Sequence, residues 1–552
     1  MTSSSIDLYT NHPKAALRAE IQAAAAALTG ARSPGEPKLD RPPKPEFGDY
    51  SSNVAMLTAP LLGEPPRQVA ERIGEALRER LGDALERVEV AGPGFLNLFM
   101  SDVWFRRTLA GAREAGDRFG SGTHRVMEKV LVEFVSANPT GPAHVATGRH
   151  AAYGDSLCRI LEFLGNLVER EYYVNDHGSQ VRNFGASIRA RARGEEPPED
   201  GYKGDYVTEL AARIPGAAEA DPEELARRGV EEMVAAMKAT LERFGVTMDR
   251  FYSERTLYET DKVNKVIAML EEREQVYPSE GAVWLRTTTH GDDKDRVLMR
   301  SDGEFTYFAS DIAYHQDKLA RGYDRVIDVW GADHHGYVGR VLAAWEALGG
   351  EPGRLELLIM QLVNLLDRGQ RAQMSKRQGE FVTLDDLIDD IGVDAARWFL
   401  LQRSHDTTLD LDLALAREQS RDNPVYYVQY MHARIASIMR ELGEERVAAA
   451  AGADLSAGDR PDLQPAERVL LERLIEFPDE IAEAGARRAP HRVTSYALDT
   501  AREFSRFYEK CSVKNAAEEG GDFDFRVALS LQAQTVIATS LGLLGVSAPE
   551  QM

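Results

Sequence analysis

Residues 130–174 read VLVEFVSANPTGPAHVATGRHAAYGDSLCRILEFLGNLVEREYYV, and this stretch decides the fold class. The apolar run LVEFVS predicts a strand, and SANPTGPAH predicts a loop because proline and glycine interrupt regular structure. The segment HVATGRHAAYGDSLCRILEFLG predicts a helix that ends at Gly165, and LVEREYYV predicts a second strand. A strand, a loop, a helix and a strand over this length indicate a βαβ unit of a parallel sheet.

The same alternation returns further along the chain. FTYFASDIAYHQDKLARG (305–322) predicts a strand followed by a helix, and RVIDVWGADHHG (325–336) predicts a strand followed by a loop. YVGRVLAAWEALG (337–349) then predicts a helix, and LELLIMQLVNLL (355–366) predicts a closing strand. We therefore expect a Rossmann-type, doubly wound α/β domain over residues 125–370, with a helical insertion at about 186–290.

Different patterns flank this domain. Residues 1–112 combine Ala-rich and amphipathic helices with two strands, RVEV and FLNLFM, which predict an additional N-terminal α+β domain. From Asn423 onward strand patterns disappear, so residues 423–552 predict an all-α helical-bundle domain. Residues 371–422 are expected to form a loop and a connecting stem region between the two.

The composition limits the possible classes of protein. A chain of 552 residues is too long for one hydrophobic core, and it has no apolar run that could span a membrane. The start MTSSSIDLYT does not resemble a secretion signal, and two isolated cysteines fit a reducing cytoplasm. The net charge of −23 counts against nonspecific nucleic-acid binding, although cations gathered on one face could still bind one nucleic acid.

The loop from Ser136 to His144 is the first candidate for chemistry. It lies at the carboxyl edge of the predicted sheet, where a helix N-terminus offers unpaired amides and a positive dipole to an anion. His144 could donate to a phosphate, and Gly141 and Gly148 would permit close backbone approach. Taken alone, the loop fits a structural βα turn equally well.

The second candidate is MSKRQGEFV, residues Met374 to Val382. It presents Lys376 and Arg377 on a short polar loop, which suits the charge that builds on a departing pyrophosphate. By itself, such a loop is more often a solvated basic turn. The pair of motifs is much more specific than either one.

HVAT (144–147) resembles the "HIGH" signature of class I aminoacyl-tRNA synthetases, and MSKR (374–377) resembles their "KMSKS" loop. Longer stretches resemble the arginyl-tRNA synthetase family: EFVSANPTGPAHV (133–145), REYYVNDHGSQ (170–180), FTYFASDIAYHQDK (305–318), GADHHGY (331–337), QMSKRQGEFVTLDDLIDDIGVDAARWFL (373–400) and NPVYYVQYMHARI (423–435). GDYSSNVAM (48–56) and AGPGFLN (91–97) resemble its additional N-terminal domain. The resemblance implies ATP-dependent ligation of L-arginine to its tRNA through an arginyl adenylate, with Mg²⁺ accompanying ATP and no metal site in the protein itself.

The resemblance also implies roles for individual residues. The expected arginine-binding residues are Glu133, Ser136, Ala137, Asn138, His144, Tyr307, Asp311 and His334. The expected ATP-binding residues are Gly141, His144, Thr147, Gly148, Met374, Ser375 and Lys376. The expected catalytic residues are His144, Thr147, Lys376 and Arg377.

The physical basis is clearest for the guanidinium group. Tyr307 and Asp311 are four residues apart and would share one face of a helix, where a carboxylate and a phenol can receive a guanidinium fork. Glu133 needs a cation to meet its charge inside a strand. That cation could be the substrate or an arginine of the protein, and the sequence does not decide between them.

Three positions depart from the family's signatures. Thr147 replaces the second histidine of the first motif, Ala146 replaces its glycine, and Gln373 replaces the first lysine of the second motif. These changes bear on the rate of adenylate formation more than on the fold. His150, one turn further along the helix, could substitute for the lost histidine, but a histidine on a helix face is the more common outcome.

The resemblance also implies contacts with tRNA. Asn53 and Asn97 are candidates for the tRNA elbow, and Tyr426, Tyr427, Tyr430 and Arg434 are candidates for the anticodon. Tyrosines at this spacing are more often part of a core. The expected partners are arginine tRNA, L-arginine and ATP, and the resemblance suggests a monomer.

Two other functions are compatible with parts of this sequence. A non-catalytic tRNA-binding paralogue would explain Thr147 as the mark of a decayed site, although the other pocket residues are retained. A ligase for another amino acid such as cysteine would need a Cys/His zinc site, which two isolated cysteines cannot build.

Overall fold

The computed structural model describes residues 8–30, 32, 35–122, 126–371 and 382–552. The N-terminal unit packs helices on an antiparallel sheet with the strand order β1-β2-β4-β3. Its elements are α1 (Pro13–Leu28), β1 (Leu39–Asp40), β2 (Tyr50–Ser52), α2 (Val54–Leu62), α3 (Pro66–Leu81), β3 (Leu85–Ala91), β4 (Phe95–Met100) and α4 (Asp102–Ala115). Helix α3 buries Val69, Ile73 and Leu77, which recur at one-turn spacing and therefore form a single apolar face.

The central unit alternates strands and helices. Its elements are β5 (Lys129–Glu133), α5 (Val145–Phe163), β6 (Leu167–Val174), α6 (Ser179–Ala192), α7 (Asp205–Arg213), α8 (Pro222–Arg243), β7 (Arg250–Ser253), α9 (Arg255–Glu259), α10 (Lys262–Glu272), β8 (Val276–Ser279), β9 (Ala282–Leu285), β10 (Arg296–Met299), α11 (Tyr307–Ala320), β11 (Arg325–Gly331), α12 (Val338–Ala347), β12 (Leu355–Met360), β13 (Val363–Asp367) and β14 (Gln370–Arg371). The predicted βαβ unit is confirmed as β5, α5 and β6.

A five-stranded parallel sheet with the order β12-β11-β5-β6-β7 forms the middle of this unit. From β5 the chain proceeds outward to β6 and β7, and it then crosses to the other side of β5 to form β11 and β12. The direction of winding therefore reverses between β5 and β11. In open parallel sheets, ligands bind at the carboxyl ends of the strands that flank such a switch point.

The predicted helical insertion at about 186–290 needs correction. Strand β7 lies inside that range and is the edge strand of the parallel sheet, so helices α6 to α8 form a crossover between neighbouring strands. Strands β8 to β10 form a separate antiparallel sheet that ends at Met299, beyond the predicted limit. The sequence missed β7 because RFYS is only four residues long and has no apolar run of its own.

Two smaller expectations also differ from the structure. The strand predicted at Phe305, directly before α11, is not formed. Phe305 makes only an isolated bridge with Met299, and the helix begins at Tyr307. The predicted strand 355–366 is two strands. Strand β12 closes the parallel sheet, whereas β13 pairs with β14 and with a strand further along the chain.

The remaining residues are mostly helical. The elements are α13 (Leu384–Leu401), β15 (Leu409–Asp412), α14 (Leu413–Arg417), α15 (Pro424–Leu442), α16 (Glu444–Ala451), α17 (Pro465–Ile475), α18 (Phe477–Ala486), α19 (His491–Lys510) and α20 (Phe523–Leu543). Strand β15 is the partner of β13. The helices from α15 onward confirm the predicted helical bundle. Across the described ranges, no helix combines the length and the apolar composition needed to cross a membrane.

Candidate active site

The loop that follows β5 has an unusual backbone. Val135 and Ser136 have φ angles of 72° and 39°, in the left-handed region that side chains other than glycine rarely adopt. The hydroxyl of Ser136 donates to Glu133 Oε1 at 2.8 Å and accepts from the main-chain amide of Tyr173 at 3.1 Å. A strained backbone of this kind costs about 1–3 kcal/mol for each residue and persists only where the surroundings hold it. Such strain is common at functional sites.

The next residues connect this loop to the end of β6. The hydroxyl of Tyr172 donates to the main-chain oxygen of Ala137 at 2.7 Å. The side-chain amide of Asn138 donates to Gln180 at 3.1 Å, and its oxygen accepts from Asn175 at 3.3 Å. Ser136, Ala137 and Asn138 therefore lie together as one wall at the carboxyl edge of the sheet, and their contact with the substrate stays a prediction.

His144 lies at the beginning of α5. Its Nδ1 accepts from the main-chain amide of Thr147 at 3.4 Å, so the neutral ring carries its proton on Nε2. Partial burial lowers the pKa of His144, which favours this neutral form at pH 7. The Nε2–H group can donate to a phosphate or carboxylate oxygen.

The segment that follows the second motif lies beside His144. Val145 donates its amide to the oxygen of Val382 at 3.2 Å, and Leu384 donates to the oxygen of Ala143 at 2.8 Å. His144 itself forms an antiparallel bridge with Thr383. Met374, Ser375, Lys376 and Arg377, together with Gln373, lie outside the described residues. Their C-terminal flank is nevertheless anchored to the first motif.

Thr147 and Gly148 have packing roles that the sequence did not predict. Thr147 is only 4% exposed, and its main-chain amide donates to the side chain of His144, which caps the helix. A Cβ atom on Gly148 would lie 2.7 Å from Leu384 Cδ1, so this glycine permits close packing of α5 on α13. We therefore correct its predicted role in the approach of ATP, because residue 148 faces α13 one turn after His144.

The remaining positions near the first motif are also packed. Gly141 faces the ring of Tyr206 from α7, whose hydroxyl donates to the main-chain oxygen of Thr140 at 2.7 Å. His150 has a pKa lowered to about 4, first by burial and then by the charge of Arg149. It therefore stays neutral and cannot supply the charge of the histidine that Thr147 replaces. The expectation of a histidine packed on a helix face fits this position.

A second wall is formed by the beginning of α11. Tyr307 and Asp311 lie on its first two turns, and Tyr307 is 64% exposed. The carboxylate of Asp311 accepts from the hydroxyl of Tyr337 at 2.8 Å. Burial raises the pKa of Asp311, and the positive charge of neighbouring groups, including His334, opposes that rise. His334 is exposed in the turn after β11, and its ring lies 5.7 Å from that of Trp330.

Glu254 is a functional candidate that the sequence analysis missed. It directly follows β7 and is 4% exposed. Burial and, to a smaller extent, the charges of Asp311 and Asp176 together raise the pKa of Glu254 to about 8. Asp311 and Glu254 are therefore two carboxyl groups that resist ionising together, and a cation between them would stabilise both. The sequence feature that could have identified Glu254 is an acidic residue directly after a strand. It could be recognised only once β7 was known.

Glu133 is met by a cation of the protein, and it is a lysine. Lys318 from α11 donates to Glu133 Oε2, while Ser136 donates to the other oxygen. Glu133 is 5% exposed. The sequence left open the substrate or an arginine as the partner. The structure shows that the partner within the protein is Lys318, 185 positions away on α11, and not an arginine. A contact of Glu133 with the substrate stays a prediction.

Comparisons with known proteins show the family of this chain. Residues 116–196 and 215–420 match the model described as tRNA synthetases class I (R), catalytic domain. Residues 14–100 match the arginyl tRNA synthetase N-terminal domain, and residues 428–552 match the DALR anticodon binding domain. The arginine–tRNA ligase of Geobacillus kaustophilus is 44% identical across 98% of this chain and 99% of its own length. The chain belongs to the arginyl-tRNA synthetase family.

Further relatives support the same assignment. The arginine–tRNA ligase of Bacillus subtilis is 43% identical across 93% of this chain and 94% of its own length. The Thermus thermophilus arginyl-tRNA synthetase structure superposes with a TM-score of 0.77 at 24% identity and covers 98% of this chain and all of that one. At that identity the superposition supports the fold alone.

The elbow candidates of this synthetase lie together on the N-terminal unit. Asn53 and Asn97 line a cavity of about 590 Å³ whose wall includes Phe47 and Phe95. Both phenylalanine side chains are more than one third exposed. The side chain of Asn97 is buried and accepts from the hydroxyl of Ser51 at 2.9 Å. Exposed rings beside amide groups suit base stacking and base contacts.

The anticodon candidates divide into two groups. Tyr430 and Arg434 line a cavity of about 390 Å³, and Arg434 donates to the hydroxyl of Tyr430 at 2.9 Å. Tyr426 lines a neighbouring cavity of about 440 Å³ at the beginning of α15. Tyr427 and Tyr430 both pack against the hydrophobic core, and Tyr430 also lines its cavity. The core interpretation therefore applies to both tyrosines, while Tyr426, Tyr430 and Arg434, which line cavities, remain candidates for tRNA contact.

Proposed function

We propose that this protein ligates L-arginine to its tRNA with ATP as the energy source, as its curated relatives are named to do. The observation that carries the proposal is the pair of carboxyl groups, Asp311 on the first turns of α11 and Glu254 directly after β7, whose charges interact. A guanidinium group is the planar cation that suits two carboxylates and a phenol. Tyr307 supplies the phenol at the same end of the site.

Each of the two walls would bind one end of the arginine substrate. Asp311, Glu254 and Tyr307 would bind the guanidinium group, with His334 at the edge. Ser136, Ala137 and Asn138 would hold the α-amine and carboxylate through main-chain and amide groups. The arginine carboxylate oxygen then attacks the α-phosphorus of ATP, and the bond from that phosphorus to the bridging oxygen of pyrophosphate breaks.

The two motifs would stabilise the charge that moves in this step. His144 Nε2–H can donate to the α-phosphate, and Lys376 and Arg377 would neutralise the departing pyrophosphate. In the second step, a terminal ribose hydroxyl of the tRNA attacks the carbonyl carbon of the adenylate and AMP leaves. Met374, Ser375, Thr147 and Gly141 would complete the nucleotide site through main-chain contacts.

Mg²⁺ would enter this site with ATP as part of the substrate complex. In the part of the chain that the structure describes, no group of three or more His, Cys, Asp and Glu side chains is arranged to hold a metal ion. Phosphate oxygens and water are the ligands that Mg²⁺ commonly keeps in such sites. The protein would therefore contact the metal mainly through the nucleotide.

The domain assignment follows the same proposal. Residues 1–112 would contact the tRNA elbow, residues 125–370 would carry the chemistry, residues 371–422 would connect them to the bundle, and residues 423–552 would bind the anticodon. We also propose that the protein is a monomer and that it is located in the cytoplasm. The two free, buried cysteines support the cytoplasmic location.

A non-catalytic tRNA-binding role is not favoured. The arginine walls, His144 and the two-motif arrangement are all retained. Decay of the function would remove the selection that keeps Asp311, Glu254 and Asn138 together.

ATP–pyrophosphate exchange tests this proposal directly. With arginine, ATP and tRNA, the protein is expected to incorporate labelled pyrophosphate into ATP, and omission of arginine is expected to abolish the signal. The assay without tRNA shows whether activation needs it, which the family resemblance suggests. Binding of tRNA without exchange under every condition would instead support the non-catalytic alternative.

The acidity of Glu254 predicts a pH dependence. Because its pKa is raised to about 8, Glu254 is largely protonated at pH 6–7 and must lose a proton to pair with a guanidinium group. The KM for arginine is therefore expected to fall by roughly tenfold for each pH unit between pH 6 and pH 8 and to level off above. Glu254→Gln should remove this slope. Glu259→Gln, an exposed control on α9, should keep it, and a slope that survives Glu254→Gln would contradict the assignment.

A further inference from the structure

Lys318 is a fully buried cation that contacts the active-site walls without lying in them. Its ammonium group donates to Glu133 and, at 2.7 Å, to Asp328, and it lies 4.3 Å from the centre of the Tyr314 ring. Its side chain and that of Asp328 are 0% exposed. A buried ion cluster adds little net stability compared with apolar packing, so its presence calls for another reason.

One arm of the cluster leads to the loop after β5. Lys318 holds one oxygen of Glu133, and the other oxygen receives the hydroxyl of Ser136. Ser136 is one of the two residues of this loop with left-handed backbone, and such a conformation needs partners on several sides. Lys318 therefore fixes the group that helps to hold the strained loop.

The other arm leads to the beginning of α11. The Nε2 atom of His315 lies 3.1 Å from a carboxylate oxygen of Asp328. Its Nδ1 atom lies 2.7 Å from the main-chain oxygen of Asp311. Each ring nitrogen of His315 therefore lies within hydrogen-bond distance of an oxygen atom. Through His315, the cluster reaches the turn of helix that carries Asp311.

We propose that Lys318 is a positioning residue that sets the distance between the two ends of the arginine site. This inference rests on the proposed placement of the substrate, with its backbone at Ser136–Asn138 and its guanidinium group at Asp311. A fixed separation selects for side-chain length. Lys318 would thereby discriminate arginine from homoarginine, which has one more methylene group.

The test needs a variant that keeps the cluster's net charge. Lys318→Met alone leaves two buried carboxylates without a cation and is expected to destabilise the fold strongly. The double variant Lys318→Met/Asp328→Asn removes one charge of each sign. The matched control is Arg321→Met/Glu171→Gln, which removes a neighbouring pair bonded at 2.6 and 2.8 Å.

Exchange assays with arginine and with homoarginine provide the readout. The Lys318 double variant is expected to raise the KM for arginine and to lower the preference for arginine over homoarginine by about tenfold or more. The control pair should keep that preference near the wild-type value, even if its melting temperature falls as much. A retained preference in the Lys318 double variant, or an equal loss in the control pair, would overturn the inference.

Ser136→Ala provides a second route if the double variant does not fold. It removes the hydroxyl that joins Glu133 to the loop without changing any buried charge, and a smaller loss of preference in the same direction is expected. Wild-type preference in Ser136→Ala would also count against the inference. Replacing Asp311 distinguishes failure of the proposed arginine site from failure of the proposed role of Lys318. If that change leaves the affinity for arginine intact, the proposed arginine site is wrong, whatever the result for Lys318.

Discussion

Asp311→Asn is expected to raise the KM for arginine about 100-fold, because a charge-assisted pair with a buried partner contributes about 3 kcal/mol. Asparagine has nearly the same shape as aspartate, and its oxygen can still accept from the hydroxyl of Tyr337. The variant therefore removes the charge that meets the guanidinium group while preserving the wall of the site. The KM for ATP should stay nearly unchanged, because the nucleotide would lie at the other end, near His144.

Steady-state exchange kinetics, with arginine and ATP varied separately, measure this effect. Asp324→Asn is a suitable control, because that carboxylate accepts from the Lys129 amide at 2.8 Å, at the amino end of the sheet, and should change neither constant. Glu254→Gln should raise the arginine KM in the same direction as Asp311→Asn. Equal rises in the KM values for arginine and ATP would refute the assigned role of Asp311.

The sequence predicted the parts of the site that short-range patterns determine. The βαβ unit could be recognised because its strands are apolar runs and its helix ends at Gly165. Asp311 and Tyr307 could be paired because helical spacing places them on one face. Local spacing thus predicted that both residues lie on the first turns of one helix, which is confirmed, while their contact with the substrate stays a prediction.

The parts that depend on long-range pairing were missed. Glu254 follows an edge strand of four residues, which has no pattern strong enough to separate it from the surrounding helices. Lys318 was not found because its contact with Glu133 joins residues 185 positions apart. Gly148 was assigned to ATP because its neighbour Leu384 lies on a helix that the sequence does not place beside α5.

The structure also shows how two distant motifs can act together. Val382 and Leu384, which follow the second motif, are hydrogen-bonded to the residues on either side of His144. The helix that begins at His144 is itself packed against α13 through Gly148. Val382 and Leu384 are therefore joined to the residues beside His144, even though the two motifs are more than 200 residues apart in the chain.

Lys376→Ala is expected to lower the rate of adenylate formation by about 100- to 1,000-fold, the typical effect of removing one group that stabilises transition-state charge. With Gln373 in place of the first lysine of the motif, Lys376 and Arg377 carry the positive charge of this segment. The KM for arginine should change little, because the charge on pyrophosphate develops as its bond to the α-phosphorus breaks and not when arginine binds.

Single-turnover formation of arginyl adenylate in the presence of tRNA measures the rate without the later steps. The matched control is Lys203→Ala, which removes an exposed lysine that is distant from Lys376 in the sequence. This control should react at the wild-type rate. A rise in the KM values with an unchanged single-turnover rate would mean that Lys376 contributes to binding in the ground state. A fall in rate that Gln373→Lys reverses in the Lys376→Ala background would show that the loop needs a cation at either of the two positions, and the motif would then act through its total charge.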